Sequence, residues 1–260
     1  MLFRSYGVHE EEGLRGDPGR IMAYRDGAIC IGTVDRAVWI SHLKAKDVTE
    51  ARQGNGCEHH KAGRPSITGI KLPATQVLGP LLHDVPEAPV PIDAPRERRT
   101  FREITYNEED EVGYLTFDFY NGAMSTSKCV RLRDAFLHAR SRPTRAIMLL
   151  GGRDFWSNGI HLNTIEAAAD PAEESWHNIN AIDDLVLEIL DTMTHLVIAG
   201  MRGNAGAGGA MMALAADQVY ARSGIVINPH YKKMGDLYGS EYWTYTLPRR
   251  VGQGASARSD

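Results

Sequence analysis

Two glycine-bearing turns decide the fold of this chain: Phe155–Leu162 (FWSNGIHL) and Gly203–Gly209 (GNAGAGG). Each follows an apolar run that predicts a strand, Ala146–Leu150 for the first turn and Leu196–Gly200 for the second. The second turn opens into a small-residue helix, Ala210–Asp217. Two strand-to-turn units of this kind can aim two backbone N–H groups at one point, which is how enzymes hold a developing oxyanion. The pattern therefore predicts carbonyl chemistry.

Composition restricts the class of protein. The 260 residues suffice for one large domain or two smaller ones, and 43% apolar with 24% charged residues is typical of a globular protein. The net charge of −4 gives no broad electrostatic reason to expect nucleic acid or an anionic membrane as partner. We find no signal peptide and no apolar run of about 18 residues. The three cysteines, Cys30, Cys57 and Cys129, lie far apart, which favours a reducing cytoplasm.

The first part of the chain predicts a small β-rich module over residues 1–85, either a barrel or a small sheet. Short strands are predicted at 19–24, 28–33, 37–43 and 70–74, and Asp26-Gly27 between apolar runs predicts a hairpin. The polar, glycine-rich stretch 44–68 predicts an exposed loop.

A proline-rich stretch then predicts a semi-rigid linker over residues 86–100. The second domain is predicted over 101–252, followed by a polar tail, 253–260. Its strands alternate with helices, including a long helix at about 174–193, which indicates a mainly parallel sheet. Ligand sites in such sheets lie beyond the carboxyl ends of the strands, where both glycine turns fall.

Here the residues resemble a known family. Trp156–Leu162 and Met201–Gly209 resemble the two oxyanion-hole segments of the crotonase (enoyl-CoA hydratase/isomerase) superfamily. A narrower resemblance, to the HypX (HoxX) hydrogenase maturation factors, adds Asn228–Lys232 and Leu237–Tyr245. The resemblance implies an α/β fold, with a crotonase-like (ββα superhelix) domain after a small β-rich, formyltransferase C-terminal-like barrel.

Two departures from that family shape the expectations. Its amino-terminal domain, which binds formyl-tetrahydrofolate, has no counterpart here, so that folate is expected only in a missing N-terminal domain. The crotonase-like domain is expected to be C-terminally truncated, since such domains normally continue through helices that cover the acyl site.

The resemblance places the oxyanion donors at the N–H groups of Ile160 and Gly208. Gly208 suits the role because a residue without Cβ lets a thioester oxygen approach the backbone. The alternative is that these glycines only permit tight packing between strand and helix.

The acid–base residues differ from those of ordinary hydratases. A hydratase glutamate lines up with Met211, which cannot move a proton, and the second lines up with the residue after Pro229, here His230. We expect Glu241 to transfer the proton, because a carboxyl group among aromatic residues is expected to have a raised pKa. We expect Tyr231 to orient the acyl unit. The alternative is that Glu241 caps a helix starting near Ser240.

Several further residues are expected to contact the acyl group or the thioester. They are Asn158, Gly159, His161, Gly206, Gly209 and His230. For Asn158 and His161 the alternative is that they cap their turn locally. Cys57–His60 has the composition of metal ligands, but adjacent side chains rarely converge, so we predict no metal site.

The resemblance implies a factor that makes the carbon monoxide ligand of [NiFe] hydrogenase, with coenzyme A as a formyl or acyl thioester. Its implied partners are this acyl-CoA and hydrogenase maturation proteins, without nucleic acid or membrane. Two alternatives remain: a divergent acyl-CoA hydratase or isomerase, and a non-catalytic CoA-binding or assembly module.

Overall fold

The computed structural model describes residues 2–46, 67–229, 231 and 239–252. It divides into two compact units, the first comprising residues 1–102 with 163–171 and the second the remainder of the chain. The first 85 residues contribute these elements: β1 (Leu2–Glu11), β2 (Ile21–Arg25), β3 (Ala28–Gly32), β4 (Ala37–Lys46), β5 (Lys71–Pro73) and α1 (Ala74–Leu78).

The first unit is built on an antiparallel sheet of order β1-β4-β3-β2, with β5 paired to β4. Asp26 and Gly27 have φ of 51° and 82°, the left-handed conformation that tight hairpin turns require, so the predicted β2–β3 hairpin is present. In the described part of this unit, β1 and β2 lie at opposite ends of the strand order. The β-rich character predicted for this part is confirmed.

Strand β1 was missed by the sequence prediction. Its residues LFRSYGVHEE carry few apolar side chains, and the strand is defined by pairing with β4 along its whole length. Strand β4 extends to Lys46 and so includes the first three residues, 44–46, of the stretch predicted as loop. Residues 47–66, which include the Cys57–His60 cluster, lie outside the described residues.

The proline-rich stretch is bonded to the first unit. The Tyr24 N–H donates to the Pro86 carbonyl at 3.0 Å, and the Ala88 N–H donates to the Tyr24 carbonyl at 3.0 Å. The buried Arg25 side chain donates to the Ala88 carbonyl at 2.8 Å and to the Thr100 hydroxyl at 2.7 Å. These contacts account for a boundary between units at Arg102/Glu103. The assignment of residues 86–100 as a linker stays a prediction.

The rest of the chain alternates strands and helices. Its elements are β6 (Ile104–Glu109), β7 (Val112–Phe117), α2 (Thr126–Arg140), β8 (Ala146–Leu150), β9 (Phe155–Ser157), α3 (Leu162–Glu166), α4 (Pro171–Leu190), β10 (Leu196–Met201), β11 (Asn204–Gly206), α5 (Gly208–Met212), β12 (Gln218–Ala221), β13 (Ile227–Asn228) and α6 (Trp243–Val251).

The described residues of the second unit form two sheets. The larger has the order β12-β10-β8-β7-β6 and is parallel except for the β6–β7 hairpin. The smaller is parallel and has the order β13-β11-β9. Strands β9 and β11 are the next elements after β8 and β10, so these two strands of the large sheet each lead into a strand of the small one. The mainly parallel sheet predicted from the alternating strands and helices is confirmed.

The helices follow local signals in the sequence. The Ser125 hydroxyl accepts the N–H of Lys128 at 3.4 Å and caps α2 at its start. Helix α4 buries one apolar face, including Ile182, Leu185 and Val186. It ends at Leu190, a little before the predicted end. In the part of the chain with assigned structure, none of the helices combines the length and hydropathy needed to cross a bilayer.

Candidate active site

The two glycine turns meet. Strands β9 and β11 pair in parallel, which places the segments that follow them side by side. The Trp156 indole N–H donates to the Gly209 carbonyl at 3.0 Å. A Cβ built on Gly159 would lie 3.1 Å from the Gly208 nitrogen. The two turns therefore approach each other so closely at Gly159 and Gly208 that a side chain on Gly159 would meet the backbone of the second turn.

Both predicted oxyanion amides lie at this junction. Gly208 is the first residue of α5, and the first N–H groups of a helix have no acceptor within that helix. Ile160 follows Gly159, whose carbonyl accepts the N–H of Met124 at 2.9 Å. That bond does not use the Ile160 N–H. The second helix is shorter than predicted, since α5 ends at Met212 and a 3₁₀ turn follows.

The Glu241 carboxylate lies directly against Gly208. A Cβ on Gly208 would overlap the carboxylate, so the absence of a side chain there makes room for it. The Glu241 Oε2 accepts the Tyr231 hydroxyl at 2.9 Å, and only 4% of Glu241 is exposed. Glu241, predicted to transfer the proton, and Tyr231, predicted to orient the acyl unit, are therefore hydrogen-bonded to each other beside Gly208, one of the predicted oxyanion donors.

Burial sets the protonation of this pair. Desolvation raises the pKa of Glu241 from 4.5 to about 7, with a further increase from the Asp183 carboxylate. Hydrogen bonds from Tyr231 and Ser240 act in the opposite direction. Desolvation, followed by the negative charge of Glu241, raises the pKa of Tyr231 well above its usual range. Near neutral pH, Glu241 can thus hold or release a proton while Tyr231 stays a donor.

Glu241 does not cap a helix, so the alternative role considered for it is wrong. Helix α6 begins at Trp243 with Tyr242 as its N-cap residue, and no side chain caps it. Glu241 and Tyr242 have φ of 50° and 53°. This left-handed turn directs the Glu241 carboxylate to Gly208 and Tyr231, and the Glu241 N–H donates to Asp183 Oδ1 at 2.7 Å.

The other residues predicted to contact the acyl group differ in their burial and hydrogen-bond partners. The Asn158 side chain donates to the Asn121 carbonyl at 2.8 Å, 37 residues earlier in the chain, so this bond is not a local cap of its own turn. His161 is buried, and its N–H donates to Asn178 Oδ1 at 3.1 Å. Gly206 pairs with Asn228 in the small sheet. His230 lies outside the described residues. Their roles in binding stay predictions.

Two residues of α4 at this site were missed by the sequence prediction. Asn178 is fully buried, and its amide also donates to the Met124 carbonyl at 2.9 Å. An asparagine within the apolar stripe of an amphipathic helix is the signal that could have found it. No sequence pattern marks Asp183, because it accepts the Glu241 N–H only when the turn at Glu241 packs against α4.

Met211 is buried in α5, so the position aligned with a hydratase glutamate holds an apolar side chain.

Among residues 2–46, 67–229, 231 and 239–252, no group of three or more His, Cys, Asp or Glu side chains is placed to hold a metal ion. Cys30 and Cys129 are both buried thiols, and burial raises the pKa of Cys129 to about 12. The catalytic roles of Glu241, Tyr231 and the main-chain amides stay predictions.

A protein-family model described as enoyl-CoA hydratase/isomerase matches residues 108–258. The hydrogenase maturation factor HoxX of Bradyrhizobium diazoefficiens is 47% identical over 255 residues, which is 98% of this chain and 40% of that protein. The chain therefore spans about two fifths of the length of this curated relative.

Solved structures agree with these sequence matches. HypX from Aquifex aeolicus, in complex with tetrahydrofolic acid, superposes with a TM-score of 0.89 at 49% identity, over 99% of this chain and 42% of that one. The enoyl-CoA hydratase of Bacillus halodurans has a TM-score of 0.54 at 21% identity, over 60% of this chain and 64% of that one, which shows a shared fold. The resemblance to HypX and HoxX inferred from the motifs is confirmed.

Proposed function

The chain belongs to the enoyl-CoA hydratase/isomerase family, and from that premise we propose that it is the crotonase-type part of a hydrogenase maturation factor. In this proposal it binds a formyl-CoA or acyl-CoA thioester and releases carbon monoxide for the [NiFe] hydrogenase active site. The observation that carries the proposal is the nearly buried Glu241 carboxylate, which lies against Gly208 and accepts a hydrogen bond from Tyr231.

The donor set fits a thioester carbonyl. The amides of Ile160 and Gly208 would receive the acyl oxygen, and the glycine at each turn would let that oxygen approach the backbone. Removing one such donor typically costs about 3 kcal/mol of transition-state stabilisation. Tyr231, which stays protonated, would hold Glu241 in place.

The proposed reaction is redox-neutral. Glu241 removes the formyl hydrogen as a proton, and the C–H electron pair remains on carbon. The C–S bond then breaks, with its electrons leaving on sulfur, so that carbon monoxide and a CoA thiolate form. The proton held by Glu241 passes to the thiolate and regenerates the carboxylate. A group with a pKa near 7 suits both steps at neutral pH.

The remaining assignments belong to the same proposal. Residues 1–85 would be a formyltransferase C-terminal-like module, residues 86–100 a linker and residues 101–252 the crotonase-like domain. Formyl-tetrahydrofolate would bind in a part of the relatives that this chain does not match. The protein would act in the cytoplasm with other hydrogenase maturation proteins.

The test supplies synthetic formyl-CoA directly and detects carbon monoxide through the spectrum of reduced myoglobin. We expect carbon monoxide and free CoA in equal amounts. Glu241→Gln should lower the rate by a factor of about 10² or more while CoA affinity is preserved. The matched control, Glu109→Gln, changes an exposed glutamate and should leave the rate unchanged.

Two outcomes would overturn the proposal. Turnover of crotonyl-CoA without carbon monoxide would identify an ordinary acyl-CoA enzyme, which the buried Met211 argues against. CoA binding without any turnover, together with maturation complexes that are insensitive to Glu241→Gln, would identify an assembly module.

A further inference from the structure

We infer that Asp183 of helix α4 is a positioning residue, which holds the turn that places the Glu241 carboxylate against Gly208. The expected effect of Asp183 on turnover rests on the proposed function. The inference extends that function to a residue outside both glycine turns and their flanking strands.

The first argument is the direct contact. Asp183 Oδ1 accepts the Glu241 main-chain N–H at 2.7 Å, a short bond for an amide donor to a carboxylate. The Ser240 side chain also hydrogen-bonds to Asp183. One carboxylate thus binds two consecutive residues of the turn from outside it.

The second argument is the backbone conformation of that turn. Glu241 and Tyr242 are consecutive residues with left-handed φ, and neither is glycine. Such a conformation is unfavourable for residues other than glycine and persists only where its surroundings enforce it. The Trp243 N–H donates to the Ser240 carbonyl at 3.1 Å, which closes the turn locally. The bond to Asp183 fixes the closed turn to α4.

The third argument is the helix that carries Asp183. Its flanking residues Ile182 and Leu185 are buried, so α4 is anchored in the core of the second unit. Five residues earlier, about 7.5 Å along the axis, Asn178 binds the His161 N–H and the Met124 carbonyl, beside Ile160. One helix therefore holds the backbone next to both halves of the candidate site.

The charge of Asp183 also acts on Glu241. The titratable groups near the Glu241 carboxylate are Tyr231, Asp183 and the buried Cys129 of α2, with the hydroxyl of Ser240. Asp183 is the carboxylate among them, and its negative charge raises the pKa of Glu241. Neutralising Asp183 while keeping its acceptor oxygen should therefore lower that pKa.

The chain offers a matched control in the next residue. Asp184 has a side chain that is 59% exposed and pairs with Arg133 at 3.3 Å. Asp184→Asn makes the same change of charge on the same helix, without touching the bond to Glu241.

The experiment compares Asp183→Asn, Asp183→Ala and Asp184→Asn with the unchanged protein. Infrared difference spectra against Glu241→Gln isolate the Glu241 carboxyl band, which is titrated with pH, and carbon monoxide release from formyl-CoA is measured beside it. Asp183→Asn should lower the titration midpoint by roughly one pH unit and keep most of kcat. Asp183→Ala should lower kcat at least about tenfold with little change in KM. Asp184→Asn should change neither.

An unshifted midpoint in Asp183→Asn, or an equal shift in Asp184→Asn, would overturn the inference. So would wild-type kcat in Asp183→Ala. The infrared titration does not depend on turnover. If the unchanged protein releases no carbon monoxide while the midpoint moves as expected, the proposed function fails and the positioning role stands. If Asp183→Ala does not fold, Asp183→Asn alone decides.

Discussion

Replacing Glu241 with glutamine should make the protein more stable at high pH and leave its stability nearly unchanged at low pH, apart from a constant offset. The carboxylate is only 4% exposed, and its pKa rises from 4.5 to about 7 because burial disfavours the charged form. In the unfolded chain the same group ionises at its ordinary pKa. Between these two values the folded state holds a proton that the unfolded state has released.

The size of the effect follows from that interval. Each pKa unit corresponds to about 1.4 kcal/mol, so the increase to about 7 represents about 3 kcal/mol. The sign is fixed by proton linkage: the folded state binds the extra proton, so its stability falls as pH rises from 4.5 to 7. Below that window both states are protonated, and above it the folded state carries the whole cost. Glutamine cannot ionise and does not incur this cost.

The assay is urea unfolding of both proteins at pH values from about 4.5 to 8.5. The difference in unfolding free energy, variant minus wild type, should increase by about 3 kcal/mol across the series. A changed hydrogen bond to Tyr231 would add a constant and not a slope. Glu109→Gln, at an exposed position, should show a far smaller pH dependence. A flat difference for Glu241→Gln would refute the reasoning that burial controls this carboxyl group.

Three further predictions concern the same site. Tyr231→Phe removes a hydrogen bond that favours the ionised carboxylate, so the pKa of Glu241 should rise further and the base-dependent limb of the rate profile should move to higher pH; an unmoved or lower limb would contradict this. Gly208→Ala places a methyl group where the Glu241 carboxylate lies, so carbon monoxide release should fall by about 10² or more while circular dichroism stays native; wild-type turnover would refute the placement. Asn178→Ala leaves the buried His161 N–H and the Met124 carbonyl without their partner. The free energy of unfolding in urea should therefore fall by roughly 2–4 kcal/mol. A decrease below ~1 kcal/mol would show that both groups find other partners.

The fold could be predicted where local patterns are strong. Apolar runs predicted β8 and β10, and the Asp26-Gly27 pair predicted the β2–β3 hairpin, because each signal acts within a few residues. Strand β1 could not be predicted this way, since its pairing with β4 joins positions more than 25 residues apart. The two sheets of the second unit were expected as one parallel sheet, because the separation of β9 and β11 from β8 and β10 is a matter of packing.

The sequence by itself determined that two glycine turns follow two parallel strands, that Met211 stands where a hydratase has a glutamate, and that Glu241 and Tyr231 are candidates for proton transfer. Only the tertiary structure decided that the Glu241 carboxylate lies against Gly208 and that Asp183 binds the Glu241 backbone. It also decided that the pKa of Glu241 is near 7. The reason is physical: residue types and spacing fix which groups exist and which strands form. Desolvation and hydrogen bonding between residues 33 to 58 positions apart depend on how the chain packs.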